Sequence, residues 1–269
     1  SSFDGIGNYG IKKEDARLVT NIFGDSLNLS SVYPVILSST GFVNNQEVHW
    51  KRTLTTSNGR CTLASAKEIT AITNEYQKRI IEGDTTVVLP LVAYYGTGRL
   101  WLQHREKKED VLLNSSRTNG YIDCMDSAAN DKLIMNWLNK ETSKKLQKKT
   151  GTAAFDAVIM AIEKCISLLI ESNDVTVSYN FDNNDLDIQY KKDDQEVILP
   201  LNRMSDGYKC TISLFTDIAY RMAQLNPQLR EKVLDAPGVV IIDDIDLHLH
   251  PEWQKRILGD LTSSFPHIK

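Results

Sequence analysis

Two adjacent carboxylates, Asp243 and Asp244, close a run of four apolar residues, Val239 to Ile242. A run of this kind reads as a strand buried on both faces, as in the parallel sheet of an α/β protein. Ligands of such sheets bind outside the carboxyl ends of the strands, which is where these acids emerge. Buried acids are costly unless a metal or a hydrogen-bond network compensates them. The pair therefore suits nucleoside triphosphate chemistry, with Asp243 on Mg²⁺ or its water and Asp244 on the attacking water. The plainer alternative is a strand ending in an acidic turn that caps the helix from Pro251 onward.

A second cluster lies just upstream. Asn202-Arg-Met-Ser-Asp-Gly-Tyr-Lys-Cys210 opens a helical pattern marked by Ile212, Phe215, Ala219, Met222 and Leu225. Ser205 and Asp206 are good N-cap residues, and Gly207 permits close backbone approach. Such a turn directs N–H groups and the positive end of the helix outward, which suits a phosphate; ordinary capping is the alternative. His248 and His250 sit two residues apart beside acids, so a metal site there competes with a packed turn. Lys140, Lys144, Lys145, Lys148 and Lys149 predict a basic helical face, either solvated or in contact with DNA or a partner.

These residues need elements to hold them. Alternation of Tyr33, Val35 and Leu37, a turn at Asn44-Asn45, then Val48, Trp50 and Leu54 predict an antiparallel meander over 32–64. Ile69, Ile72, Tyr76 and Ile80 mark one face of a helix over 66–81. Val87 to Tyr95 reads as a second buried strand, with Pro90 requiring a bulge or strand edge. Residues 100–150 read as helical and peripheral. Phe155 to Ile170 predicts a core-facing helix, and Asp182-Asn-Asn-Asp185 turns a hairpin between two alternating segments. The domain expectation is an N-terminal β-rich lobe (1–99), a helical insertion (100–174) and a C-terminal part carrying both motifs (175–269).

The bulk numbers narrow the class. At 269 residues and 41% hydrophobic composition the chain can bury a substantial core. A net charge of −4 argues against a wholly basic nucleic-acid binder. No apolar run approaches the roughly 20 residues that span a bilayer, so no membrane association is expected. The four cysteines show no zinc or dense disulfide spacing, and a reducing cytoplasm is the simplest compartment.

Together the segments resemble the head domain of an ABC-type ATPase of the structural-maintenance, Rad50 and RecF kind. Met204-Ser-Asp-Gly-Tyr-Lys209 is similar to that family's signature loop, Val239 to Asp243 to its Walker B strand. Asp244 stands at the catalytic-carboxylate position and His250 where many members carry the D-loop aspartate. The Asp-Leu-His-Leu-His-Pro tail resembles a narrower group, bacterial ATPases often encoded in defence islands. Within it Leu89-Pro-Leu-Val-Ala-Tyr-Tyr-Gly-Thr-Gly-Arg-Leu-Trp101 and Asn119-Gly-Tyr-Ile-Asp-Cys124 resemble the PtuA-type ATPases of the Septu antiphage system and of some retrons. The resemblance implies an α/β fold with a mixed sheet flanked by helices, an antiparallel β lobe and a helical insertion. It implies ATP and Mg²⁺ as ligands, bound by Ser205, Asp206, Gly207 and Lys209 and by Asp243, with Asp244 and His250 catalytic. It also implies ATP-dependent self-association and an HNH nuclease partner of the PtuB kind.

The sequence departs from that pattern in three ways. No Gly-x-x-x-x-Gly-Lys-[Ser/Thr] occurs, so the chain reads as an internal portion of a longer protein that binds ATP poorly alone. Asp244 replaces the usual Glu and is one methylene shorter, by roughly 1.5 Å, which predicts slow turnover. His250 lacks the charge of the D-loop aspartate. A RecF-like repair clamp and a non-hydrolysing interaction module are the competing expectations. An overcoming-lysogenization-defect nuclease would need a Toprim domain beyond residue 269.

Overall fold

Alternating apolar and polar residues punctuated by turns build the first part of the chain from hairpins. The computed structural model describes residues 10–23, 26–43, 46–62, 66–100, 116–126, 131–148, 152–192, 195–247 and 249–269. β1 (Leu18–Phe23) pairs antiparallel with β2 (Ser26–Ser31), and β3 (Val35–Val43) with β4 (Gln46–Leu54), Val43 opposite Gln46. The second hairpin is the expected meander; the first carries Thr20 and Asn21 in β1 and Ser26, Asn28, Ser30 and Ser31 in β2 and gives little periodic signal. α1 (Lys67–Ile81) is the helix expected over 66–81 and packs on β4. It stops at Gly83, whose φ of 83° is a conformation glycine adopts without a Cβ clash. Beyond it Asp84 accepts from Arg79 Nε at 2.8 Å, from Thr86 N at 2.8 Å and from Thr86 Oγ1 at 2.7 Å. These elements form one unit among the described residues, 10–87; residues 88–269 form another.

In the second unit β5 spans Leu91–Tyr95. The apolar run begins earlier, at Val87, but Pro90 has no N–H for a ladder, so the strand starts after it. α2 (Asp131–Lys148) buries Leu133, Ile134 and Leu138, and its Trp137 packs against Phe155 and Tyr220 at centroid distances of 5.8 and 5.2 Å. The helix expected at the periphery thus contributes to the core. α3 (Ala153–Ile170) is capped by Thr152, which accepts from Phe155 N, and buries Phe155, Val158, Ile162, Ile166 and Leu169 as its spacing predicts. β6 (Thr176–Asn180), β7 (Asp185–Lys192) and β8 (Gln195–Pro200) form an antiparallel sheet in that order.

α4 (Asp206–Leu225) is the most buried helix, packed on α3 and β5. β9 (Gly238–Ile242) lies parallel to β5, Leu91 opposite Gly238 and Tyr95 opposite Ile242. α5 (Pro251–Ser264) then returns the chain so that Ile268 bridges Gly238 in parallel and Lys269 accepts from Val240 N at 2.9 Å. The architecture is mixed α/β, with parallel and antiparallel strands in separate small sheets. Among the described residues no helix is long and apolar enough to cross a membrane.

The expectation that β9 is buried on both faces is corrected. Val239 and Ile241 are 50% and 53% exposed, whereas the face of β5 that carries Leu91, Ala93 and Tyr95 is buried. One face of the β5–β9 pair is covered, and the other carries Val239, Ile241 and, two residues on, Asp243. The basic helical face is also changed. Lys144 pairs with Glu141 and Lys145 with Asp156, so neighbouring acids neutralise two of its cations. Lys149 and the side chain of Lys148 lie outside the described residues.

Candidate functional site

Glycine sets the start of the carboxylate strand. A Cβ on Gly238 would stand 2.7 Å from Leu91 Cβ and 2.8 Å from Leu91 O, so this close parallel register needs the bare backbone. At the other end the ladder closes with Asp243 N donating to Tyr95 O at 2.8 Å. Tyr94 Oη donates to Asp243 Oδ2 at 2.7 Å, and that bond, more than any other influence, raises the Tyr94 pKa. Asp243 is exposed beyond the strand end, a hard oxygen donor of the kind Mg²⁺ takes. Asp244 follows with a φ of 44°, in the left-handed region, and its carbonyl accepts from Leu247 N at 2.9 Å. The chain therefore reverses at the second acid, leaving both carboxylates at the turn, outside the strand.

Buried Leu249 anchors the end of this turn, where Gln254 Nε2 donates to Asp246 O and Leu249 O, each at 3.3 Å. His250 is the N-cap of α5, with Pro251 at the first helical position. Its Nδ1 accepts from Glu252 N at 3.5 Å. His248 lies outside the described residues. Among those described, no three His, Cys, Asp or Glu side chains gather to hold a metal.

The signature-like turn is held from below. Asp185, buried at the start of β7, accepts from Leu186 N and from Asn202 N, each at 2.9 Å, which fixes the segment leading to Ser205. Ser205 is the N-cap of α4 by backbone, with φ −65° and ψ 159°, but its hydroxyl makes no cap bond. Ordinary capping therefore does not account for the serine side chain. Gly207 is buried, and its carbonyl accepts from Thr211 Oγ1 at 2.9 Å. Asp206 and Lys209 meet as an i,i+3 ion pair at 2.8 Å. Tyr208 packs edge-on against Trp253, centroids 4.5 Å apart, and Trp253 lies 6.3 Å from the His250 ring. The expected residues thus fall in two clusters. Ser205, Asp206, Gly207 and Lys209 share the α4 start with the Trp253–His250 end of α5, and Asp243 and Asp244 share the β9 end with Tyr94. The chain from 243 to 250 connects the two.

Sequence reasoning missed the network behind the carboxylates. Tyr95 Oη donates to Asp217 Oδ2 at 2.6 Å, and Arg221 Nε donates to the same oxygen at 2.8 Å. Arg221 Nη1 reaches Gly120 O at 3.0 Å and Ile122 O at 2.7 Å. Asp217 and Arg221 are 1% and 2% exposed. Burial, followed by the Asp217 charge, holds Tyr95 well above the usual phenol range. Nearby, Tyr121 Oη donates to Pro90 O at 2.7 Å and Cys124 O accepts from Tyr94 N at 2.7 Å. The Asn226 side chain exchanges two 2.8 Å bonds with the Leu89 backbone. Hence the described residues of the segments 89–101 and 119–124 meet at α4; Trp101 lies outside the described residues. The available signal was an Asp and an Arg four apart among the apolar residues Ile212, Leu214, Phe215, Ile218, Ala219 and Met222.

No family model matches the chain. Over about a quarter of its length the chain is nonetheless related to proteins of retron and Septu systems, two of them named as probable ATPases. It is 50% identical over 66 residues to the Retron Vc95 probable ATPase of Vibrio cholerae serotype O1 biovar El Tor, covering 24% of this chain and 13% of that protein. It is 43% identical over 77 residues to the Retron Ec83 probable ATPase of Escherichia coli, 29% and 14% of the two chains. It is 44% identical over 69 residues to the Septu protein PtuA of Bacillus mycoides (strain KBAB4), 26% and 9%. The relationship expected from the sequence is thereby shown for part of the chain. The matched stretches span 14% or less of each relative's length.

Proposed function

We propose that this chain supplies the signature-loop and Walker B part of an ABC-type ATPase head in antiphage defence, its ATP-dependent head association regulating an HNH nuclease of the PtuB kind. The observation that carries this reading is 43–50% identity to retron probable ATPases, together with 44% identity to Septu PtuA. Two acids on a turn beyond a parallel strand, and a serine N-cap whose hydroxyl is not spent on capping, are compatible with it.

In this reading Asp243 would hold Mg²⁺, which would supply charge neutralisation for the phosphates. Asp244 orients the attacking water, and His250 faces the opposed head from the D-loop position. Ser205, Asp206, Gly207 and Lys209 of a second copy contact the γ-phosphate through hydroxyl, backbone N–H and ammonium donors, at the positive end of α4. ATP then holds two heads together, and hydrolysis releases them.

The test uses the complete gene product. Ser205→Arg should abolish ATP-induced association measured by light scattering, while Asp244→Asn should prolong it. Association that survives the arginine would overturn the opposed-head arrangement.

A further inference from the structure

We propose that Tyr94 is a positioning residue for the Asp243 carboxylate and thereby sets the metal affinity of the site. The inference rests on Asp243 being the acid that holds Mg²⁺. Consecutive residues of a strand project to opposite faces, so Tyr94 and Tyr95 divide two tasks. Tyr95 points inward, where its hydroxyl joins the Asp217–Arg221 pair on α4 and secures the end of β5. Its carbonyl accepts the Asp243 N–H and so fixes the backbone of that residue. Tyr94 points to the other face, where its hydroxyl bonds Asp243 Oδ2 at 2.7 Å and fixes the carboxylate.

Backbone and side chain of the same acid are thus both held from β5. Fixing a carboxylate before an ion arrives lowers the ordering cost of binding it. A phenol donating to a carboxylate makes a charge-assisted bond, stronger than a neutral one. Partners of this kind behind a metal-binding carboxylate typically govern affinity by tenfold or more. Tyr94 does not touch nucleotide in this account; it acts through Asp243.

Tyr94→Phe removes one oxygen atom and tests the assignment in the complete gene product. The probe is a fluorescent ATP analogue titrated at increasing Mg²⁺. The Mg²⁺ concentration for half-maximal binding should rise on the order of tenfold. Binding of the analogue in EDTA and the thermal midpoint should stay at wild-type values. Added to Asp243→Asn, the substitution should give no further change, because residues acting through one group are not additive. A wild-type Mg²⁺ titration for Tyr94→Phe overturns the inference and leaves the ATPase reading standing. Equal losses with Mg²⁺ and with EDTA also overturn it, since general damage would then account for the effect. Wild-type protein whose analogue binding ignores Mg²⁺ overturns the underlying metal assignment instead.

Discussion

The buried pair behind the strand ends offers the sharpest test of how this unit is held together. Arg221→Met keeps the length of the stem and deletes the guanidinium. Among the described residues the Asp217 carboxylate, 1% exposed, then keeps only the Tyr95 hydroxyl on Oδ2, and its Oδ1 already has no hydrogen-bond partner there. The carbonyls of Gly120 and Ile122 lose their donor as well. Orphaning one member of a buried pair costs about 3–5 kcal/mol. At about 2–4 °C per kcal/mol for a unit of this size, the thermal midpoint should fall by roughly 6–20 °C. Replacing both ends, as in Asp217→Leu with Arg221→Met, removes the stranded charge and should recover part of that loss, because apolar substitutes for a whole pair are often neutral. Circular dichroism melts of wild type, both single variants and the double variant decide it. A melt of Arg221→Met within about 2 °C of wild type would refute the reasoning. So would a double variant no more stable than that single one.

Two further outcomes follow from local geometry. Gly120→Ala places a Cβ 2.6 Å from Leu225 Cγ and 3.0 Å from Arg221 O, and overpacking of this kind should cost about 1–3 kcal/mol, read from urea midpoints. Asp84 should titrate at about 2, below its ordinary 3.8, because the Thr86 hydroxyl, the Thr86 N–H and the Arg79 guanidinium all favour its charged form. A lowered folded-state value means this stabilisation is present above about pH 4 and lost as pH falls through about 2. Carboxyl-carbon NMR of the residue should show it, and Asp84→Asn should remove the titration near pH 2 that belongs to this carboxyl.

Some elements were legible because one periodicity dominates them. α3 and α4 combine helical spacing with cap residues, and the β3–β4 and β6–β7 hairpins combine alternation with Asn- and Asp-rich turns. β1 and β2 were not, because their apolar residues are diluted by Ser, Thr and Asn. β9 is legible as a strand, but its surroundings are not. Four apolar residues in a row say nothing about how many layers cover them, and here Val239 and Ile241 are about half exposed. The site shows the same division. Spacing brings Ser205 to Lys209 onto one turn and Asp243 beside Asp244, since both are local. The bond from Tyr94 to Asp243 spans 149 residues and that from Tyr95 to Asp217 spans 122; no local window holds either.

The shorter acid at 244 also reads differently once the backbone is known. Judged by side-chain length, aspartate in place of glutamate retracts the carboxylate and slows any chemistry that depends on its reach. Residue 244, however, has a φ of 44°, where Asp and Asn are enriched because their short polar side chains tolerate the left-handed turn. A longer side chain gains reach there but loses that conformational preference. The direction in which the carboxylate leaves the strand is set by the reversal itself, and the reversal is tied by the Leu247 N–H to Asp244 O. Backbone geometry and side-chain length are therefore a matched pair at this position. On the proposed ATPase reading, Asp244→Glu in the complete gene product should consequently not raise turnover to the level that side-chain length by itself would predict, and a variant that hydrolyses ATP many times faster than wild type would overturn the match of turn and side chain.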